Sequence, residues 1–290
     1  MPAKLYLRAP AKVNLYLRIL GRRPDGFHDI ESLVVPVRLF DRIEVEKALR
    51  GVGFSCTGLP GVPPEENLAH RAAKAFIDAF GPGGGVRIRV KKTIPAGAGL
   101  GGGSSDAAAV LSGMDRLFPG LATPAALAEL AASLGSDVPF FLGGRPAWIR
   151  GRGDMVEPLK RPLPPFRAVL VYPGFGVSTA WAYGAWDSQH PRLTAHWRSA
   201  SNHRPVRVEN DAIRGLRNDF EGVVFKTHPV LRGVKDALLA HGAYGALLSG
   251  SGSTVFGLFE GDRNTRESAA SIARSNPEWN AFVVKGLCGA

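Results

Sequence analysis

Between Ile94 and Leu111 the chain reads IPAGAGLGGGSSDAAAVL, with Gly97, Gly99, Gly101, Gly102 and Gly103 followed by two serines and a helical run. Glycine gives up more conformational freedom on ordering than any other residue, and a plain turn needs only one or two. Closely spaced glycines let successive backbone N–H groups converge. A helix N-terminus just beyond them adds unpaired donors and the positive end of its dipole. Such a loop suits a polyphosphate. Ser104 and Ser105 could cap the helix or offer hydroxyls to phosphate or to a magnesium ion. Residues 97–102 also fit the dinucleotide pattern G-x-G-x-x-G, but the strand before them, VRIRVKKTI, sets Arg87, Arg89 and Lys91 on one face. A dinucleotide-fold first strand is buried on both faces and nearly all apolar. A Walker A loop is excluded as well, since no Lys-Ser or Lys-Thr follows the glycines.

The loop has to be held by the elements around it. Residues 3–20 alternate, with Leu5, Leu7, Ala9, Ala11, Val13, Leu15, Leu17 and Ile19 on one face and Lys12, Asn14 and Tyr16 on the other. This predicts one half-buried strand or a pair, with Pro10 at a bulge or edge. Pro24, Asp25 and Gly26 give turn chemistry before Phe27 and His28. Strands are expected at 30–38, 42–47 and 86–90, and a helix runs through Leu68, Ala72, Ala75, Phe76 and Ala79. The loop helix is expected from about Ser105 to Leu117. Another follows with Thr123 as N-cap, Pro124 at its first position and Gly135 as its stop. RPLPPF at 161–166 reads as a linker, dividing the chain into 1–160 and 161–290. The second half opens with a strand at RAVLVYPG, passes a polar, basic surface loop at 187–210, and continues through a helix, a strand–turn–strand at 243–259, a last helix and a last strand. Mixed elements without a clean βαβ repeat predict an α+β protein of two sandwich-like halves.

Composition bounds the function. The 290 residues suffice for two domains, and 45% hydrophobic with 21% charged residues reads as soluble and globular. Two distant cysteines, Cys56 and Cys288, exclude a disulfide scaffold and a cysteine zinc site and suit the cytoplasm. The first twenty residues lack an uninterrupted apolar stretch, and no run of eighteen apolar residues occurs, so neither a signal peptide nor a membrane span is expected. A net charge of +11 fits anionic partners of any kind and decides nothing alone.

PAGAGLGGGSS resembles the phosphate loop of the galactokinase, homoserine kinase, mevalonate kinase and phosphomevalonate kinase (GHMP) superfamily. APAKVNLYLRILGRRPDGFHDIESL and LLSGSGSTVFG are similar to its first and third motifs, and LGSDVPFFLGGRPAWIRGRGD and YPGFGVSTAWAY extend the likeness over most of the chain. The Asp-Gly-Phe-His stretch narrows it to the 4-diphosphocytidyl-2-C-methyl-D-erythritol kinase family. The resemblance implies a two-domain GHMP kinase fold, with an N-terminal half like the second domain of ribosomal protein S5 and a C-terminal α/β sandwich half. It implies transfer of the ATP γ-phosphoryl group to a tertiary hydroxyl of a cytidine-diphosphate alcohol, with magnesium, and a cytidine pocket at the domain junction. It implies no nucleic-acid or membrane partner, and a monomer or homodimer. By matching position, Lys12 and Asp137 would be the catalytic pair, with Asn14 beside Lys12 on the substrate. Phe27 and Tyr183 would sandwich cytosine, His28 would read its edge, and Thr179 would touch the substrate. The residues Pro95, Ala96, Gly97, Ala98, Gly99, Leu100, Gly101, Gly102, Gly103, Ser104 and Ser105 would hold ATP phosphates, and Asn67 and Lys92 would line the adenine pocket. Phe27 stands where the family usually has tyrosine, which keeps stacking and loses a phenol hydrogen bond.

Each of these residues has a plainer reading. Asp137 could cap a turn before Val-Pro, Lys12 could be the solvated side of a strand, and His28 and Tyr183 could be structural. Asp106 is expected to complement the helix dipole. Two other functions compete: a GHMP kinase for another alcohol such as homoserine or mevalonate, and a nucleic-acid binder using Trp197, Arg198, His203, Arg204 and Arg207. The first leaves Phe27 and His28 without a purpose, and the second leaves the glycine loop without one.

Overall fold

The computed structural model describes residues 3–191 and 215–289. The expected surface loop at 187–210 therefore falls largely outside the described residues, as do Trp197, Arg198, His203, Arg204 and Arg207. Residues 187–189 belong to a helix. The chain forms two compact units that alternate along the sequence. One holds Met1–Ala11, Leu39–Ala96 and Gly101–Gly144; the other holds Lys12–Arg38, Gly97–Leu100 and Arg145–Ala290. The 160/161 division falls inside the last of these stretches.

Two long strands, β1 (Lys4–Arg22) and β2 (His28–Ala48), supply residues to both units. Pro10 does not interrupt β1, and the strands expected at 30–38 and 42–47 are one. In the first unit, β4 (Gly85–Lys91) pairs antiparallel with Arg42–Ala48 of β2 and parallel with β3 (Val52–Thr57). Among the described residues four α-helices complete it: α1 (Leu68–Phe80), α2 (Gly102–Leu117), α3 (Pro124–Leu134) and α4 (Val138–Gly143). Strict alternation in VRIRV buries Val86, Ile88 and Val90 and turns Arg87 and Arg89 to solvent, where they pair with Glu46 and Glu44. Helix α2 packs so closely on the strands that a Cβ at Gly113 would lie 2.8 Å from Leu7. Thr123 caps α3 as expected, its hydroxyl accepting from the Ala126 N–H at 3.2 Å.

In the second unit, Ile30–Val34 of β2 pairs antiparallel with β5 (Ala147–Gly151), which pairs with β6 (Met155–Pro158). Tyr16 and Leu17 of β1 run parallel with β8 (Arg217–Asn218). A separate antiparallel sheet has the order β11 (Asn280–Lys285), β7 (Arg167–Tyr172), β10 (Val255–Phe259), β9 (Gly245–Leu248). Helices α5 (Thr179–Gln189), α6 (Glu221–Thr227), α7 (Pro229–Ala240) and α8 (Asp262–Ser275) belong to the same unit, whose core gathers Val169, Val171, Trp186, Phe220, Leu238 and Ile272. Helices α4, α5 and α6 were not among the expected elements. Part of the polar face expected along β1 is also covered: Lys12, Asn14 and Tyr16 are buried, while Tyr6 and Arg8 stay exposed.

Candidate active site

The glycine loop alternates in conformation. Gly97, Gly99 and Gly101 take φ of 65°, 75° and 69°, a left-handed region that side chains rarely adopt. Ala98 and Leu100 between them are buried anchors, while Ala96, Gly97 and Gly103 are exposed. The segment Gly97–Leu100 is woven into the second unit. The Thr254 N–H donates to the Ala98 carbonyl at 3.1 Å, the Lys12 N–H to the Leu100 carbonyl at 3.0 Å, and the Ser249 hydroxyl to the Gly99 carbonyl at 3.1 Å. A Cβ at Gly99 would lie 2.1 Å from the Ser249 carbonyl oxygen. No side chain fits there.

Beside this segment lies the turn after β9, residues 249–254. Asn218 holds it by donating both amide hydrogens, to the Leu248 carbonyl at 2.8 Å and the Gly250 carbonyl at 2.7 Å. Gly250 comes close enough that its Cβ would be 3.2 Å from Lys12 Nζ and 3.6 Å from Asn14 Oδ1. Lys12 Nζ donates to Asn14 Oδ1 at 2.6 Å, Asn14 Nδ2 to Ser32 Oγ at 2.8 Å, and Ser32 Oγ to the Tyr16 carbonyl at 2.7 Å. The one-way chain of donors fixes the Asn14 amide and points its oxygen at the ammonium. Thr179, at the start of α5, reaches the same turn, with its hydroxyl 2.9 Å from that of Ser251. Asn218 and Ser251 escaped the sequence reading. The turn itself stands where the strand–turn–strand at 243–259 put it, but nothing in the sequence marked Asn218.

In the first unit the loop opens into α2, which starts at Gly102, three residues earlier than expected. Gly101 is its N-cap, and no side chain caps it. The serines thus lie inside the first turn and do not cap the helix. With no side-chain cap, the first N–H groups of that turn are the kind of donors that suit an anion. Ser104 is half-buried, and the Ser105 hydroxyl is buried with no hydrogen-bond partner among the described residues, beside a cavity of about 150 Å³ lined by Arg8, Ser112 and Phe141. The turn passes Lys92 and Leu68, whose nearest atoms would be 3.3 and 3.4 Å from a Cβ at Gly102 and Gly103. Asn67 caps α1, accepting from the Ala69 N–H at 3.0 Å.

Lys92 donates to both Asp41 and Asp106, the latter at 2.6 Å, and all three side chains are at most 5% exposed. Asp106 therefore serves a buried ion cluster and does not simply face the helix dipole. Asp41 also accepts from the backbone N–H groups of Thr93 and of Ile94, the latter at 2.9 Å, which pins the entry to the loop. Burial pushes the Asp106 carboxyl up to about 7, against the pull of Lys92 and with added repulsion from Asp41. For Lys92, burial works against the charge, but Asp106 and Asp41 outweigh it and raise the ammonium above its ordinary value. Asp137 is half-buried at the N-cap position of α4, and its carboxylate makes no cap hydrogen bond.

The residues expected around cytosine sit at the turn before β2 and on α5. Phe27 is 54% exposed, with the Arg152 guanidinium 5.1 Å from its ring centre. His28 is buried and stacks on Tyr183, their centroids 4.4 Å apart and planes 17° from parallel. Its Nε2 lies 2.7 Å from Asp187 Oδ1, a partner that the sequence reading missed because 159 residues separate the two.

Two outcomes follow from this geometry. Gly99→Ala should destabilise the fold by about 1–3 kcal/mol, as overpacking does, and weaken ATP binding. Gly103→Ala, whose Cβ would make an ordinary contact with Leu68, should leave stability nearly unchanged. Urea unfolding and nucleotide titration of both variants would check this, and equal stabilities would discount the close approach at Gly99. The second concerns pH. Asp106 keeps its proton to about pH 7 when folded, against an ordinary value of 3.8, so the folded state holds an extra proton between those values. Stability from this group then falls as pH rises toward 7, by at most about 1.4 kcal/mol per pH unit. The stability of the parent relative to Asp106→Asn should decline from about pH 5 to about pH 7; a constant difference in urea unfolding would mean that Asp106 is ionised throughout.

Comparison with known proteins places this arrangement. Residues 67–145 match the GHMP kinases N terminal domain, and residues 202–280 match the GHMP kinases C terminal domain. The 4-diphosphocytidyl-2-C-methyl-D-erythritol kinase of Syntrophus aciditrophicus (strain SB) is 40% identical over 98% of this chain and 99% of its own length. That of Geobacter metallireducens (strain ATCC 53774 / DSM 7210 / GS-15) is 42% identical over 98% and 99%. A crystal structure of a 4-(cytidine 5'-diphospho)-2C-methyl-D-erythritol kinase superposes with a TM-score of 0.81 at 40% identity, covering 99% of this chain and 100% of that one. With both GHMP domains matched and relatives similar over their whole length, the chain has the two-domain GHMP kinase fold and belongs to the 4-diphosphocytidyl-2-C-methyl-D-erythritol kinase family.

Proposed function

We propose that this kinase transfers the γ-phosphoryl group of ATP to the 2-hydroxyl of 4-diphosphocytidyl-2-C-methyl-D-erythritol, a step of the non-mevalonate route to isoprenoids. The observation that carries the reading is the meeting of Gly99, Gly250, Lys12 and Asn14, which joins a phosphate-type loop to a buried, hydrogen-bonded cation. In this reading the backbone of Pro95–Ser105 holds the phosphates, and Asn67 and Lys92 flank the adenine side. Asp137 accepts the proton of the substrate hydroxyl as its oxygen bonds to the γ-phosphorus, the bond from that phosphorus to the β–γ bridging oxygen breaks, and ADP departs. Lys12, oriented by Asn14, offsets the negative charge on the transferring group. Phe27, His28 and Tyr183 take the cytosine, and Thr179 a neighbouring part of the substrate.

Magnesium belongs to the reading as a partner of the nucleotide. Among the described residues no cluster of three or more His, Cys, Asp or Glu side chains could hold a metal ion. Asp106 is committed to Lys92. The hydroxyls of Ser104 and Ser105 in the first turn of α2 are the groups that would fit an ion already carried by phosphates and water. Such an ion would supply positive charge against the phosphates. A cytoplasmic monomer or homodimer, divided at 160/161 between a loop-bearing half and a C-terminal half, completes the proposal. The two family matches fall on either side of that division, and no described helix is long and apolar enough to cross a membrane.

An ATP-consumption assay across the cytidine-diphosphate alcohol, mevalonate and homoserine is expected to show turnover with the first alone. Preference for mevalonate or homoserine would replace this substrate. Asp137→Asn should lower kcat at least about a hundredfold while ATP still binds, since an amide cannot take the proton. His28→Ala should raise KM for the cytidine substrate and narrow its advantage over the uridine analogue; an unchanged ratio of kcat/KM would remove His28 from base reading.

A further inference from the structure

The His28 ring is held from several directions by one helix. Tyr183 stacks on its face, Trp186 meets it edge-on at 6.0 Å and 89°, and Asp187 takes its Nε2 at 2.7 Å. Tyr183 and Asp187 are four residues apart on α5, so they share a helix face. The Arg22 guanidinium stands 3.6 Å from the other oxygen of Asp187. An ionised carboxylate can only accept, so in a neutral imidazole the proton sits on Nε2 and the lone pair on Nδ1. Cytosine presents an amino donor where uracil presents a carbonyl acceptor.

We infer that Asp187 is a positioning residue for base selection: by holding the proton of His28 on Nε2, it makes Nδ1 an acceptor that suits the 4-amino group of cytosine and opposes the 4-oxo group of uracil. The inference rests on the cytidine substrate proposed above. Selectivity is then set by the tautomer of His28 as well as by the shape of the site. Asparagine at this position can turn its amide N–H toward Nε2, which moves the ring proton to Nδ1 and makes that atom a donor.

The test compares the parent, Asp187→Asn and Asp187→Glu with the cytidine substrate and its uridine analogue at saturating ATP. In Asp187→Asn the ratio of kcat/KM for cytidine over uridine should fall about tenfold or more, chiefly through KM, with KM for ATP unchanged. Asp187→Glu, which still accepts from Nε2, should recover most of the ratio. Nitrogen-15 NMR should find the His28 proton on Nε2 in the parent and on Nδ1 in Asp187→Asn. An unchanged ratio in a folded Asp187→Asn protein, or a parent ring protonated at Nδ1, overturns the inference. If Asp187→Asn does not fold, the parent spectrum decides. A parent that leaves the cytidine compound unphosphorylated removes the substrate reading itself, an outcome distinct from a parent that turns it over with an Asp187→Asn ratio unaltered.

Discussion

Backbone meets backbone at Gly99. With a prospective Cβ 2.1 Å from the Ser249 carbonyl, the loop and the turn at 249–254 touch without intervening side chains. The approach favours glycine on both sides of the contact, and Gly250, whose Cβ would lie 3.3 Å from the Gly99 carbonyl oxygen, supplies it on the second. The hydrogen bonds from Thr254 to Ala98 and from Ser249 to Gly99 then fix the register of the loop. Lys12 takes its place from the same arrangement, since its own N–H donates to the Leu100 carbonyl while its ammonium lies beside Gly250. Five glycines are costly to order, and the cost is met by a cradle whose geometry leaves little freedom.

The entry to the loop is controlled electrostatically. Burying Lys92 with two carboxylates is expensive, because desolvation can exceed the attraction gained. Asp41 partly offsets that by accepting from the Thr93 and Ile94 N–H groups as well as from Lys92. One carboxylate thereby joins β2, the end of β4 and the start of the glycine loop. Asp106 brings α2 into the same cluster. A cluster so built tolerates few alternative arrangements, and it fixes the start of a helix that no side chain caps.

Elements specified by local chemistry were legible in the sequence. The alternation of VRIRV, the Thr123–Pro124 cap and the turn at Pro24–Gly26 each depend on neighbours within a few residues, and each stands as expected. The glycine loop was legible for the same reason. Burial of Lys12 and Asn14 was not, because the groups covering them, Ser32 and Gly250, are distant in sequence. Nor was the tie between His28 and Asp187 visible, since a carboxylate at the end of an aromatic helix has no local mark of its use. The short helix α4 escaped because VPFFLG is apolar throughout and too brief to show a period. Of the two uses open to the serines, capping is excluded because glycine in the left-handed region starts α2 instead.

The two long strands carry an implication for how this protein could have been assembled or could be taken apart. Because β1 and β2 each give residues to both compact units, the second unit draws Lys12–Arg38 and Gly97–Leu100 from the amino-terminal part of the chain. A scission at the proline-rich stretch near residue 161 would strip it of the lysine, the loop segment and the histidine together. Neither half is a cassette that recombination could exchange whole. Change by single substitution at exposed positions such as Phe27 disturbs less of either unit than an exchange of halves would.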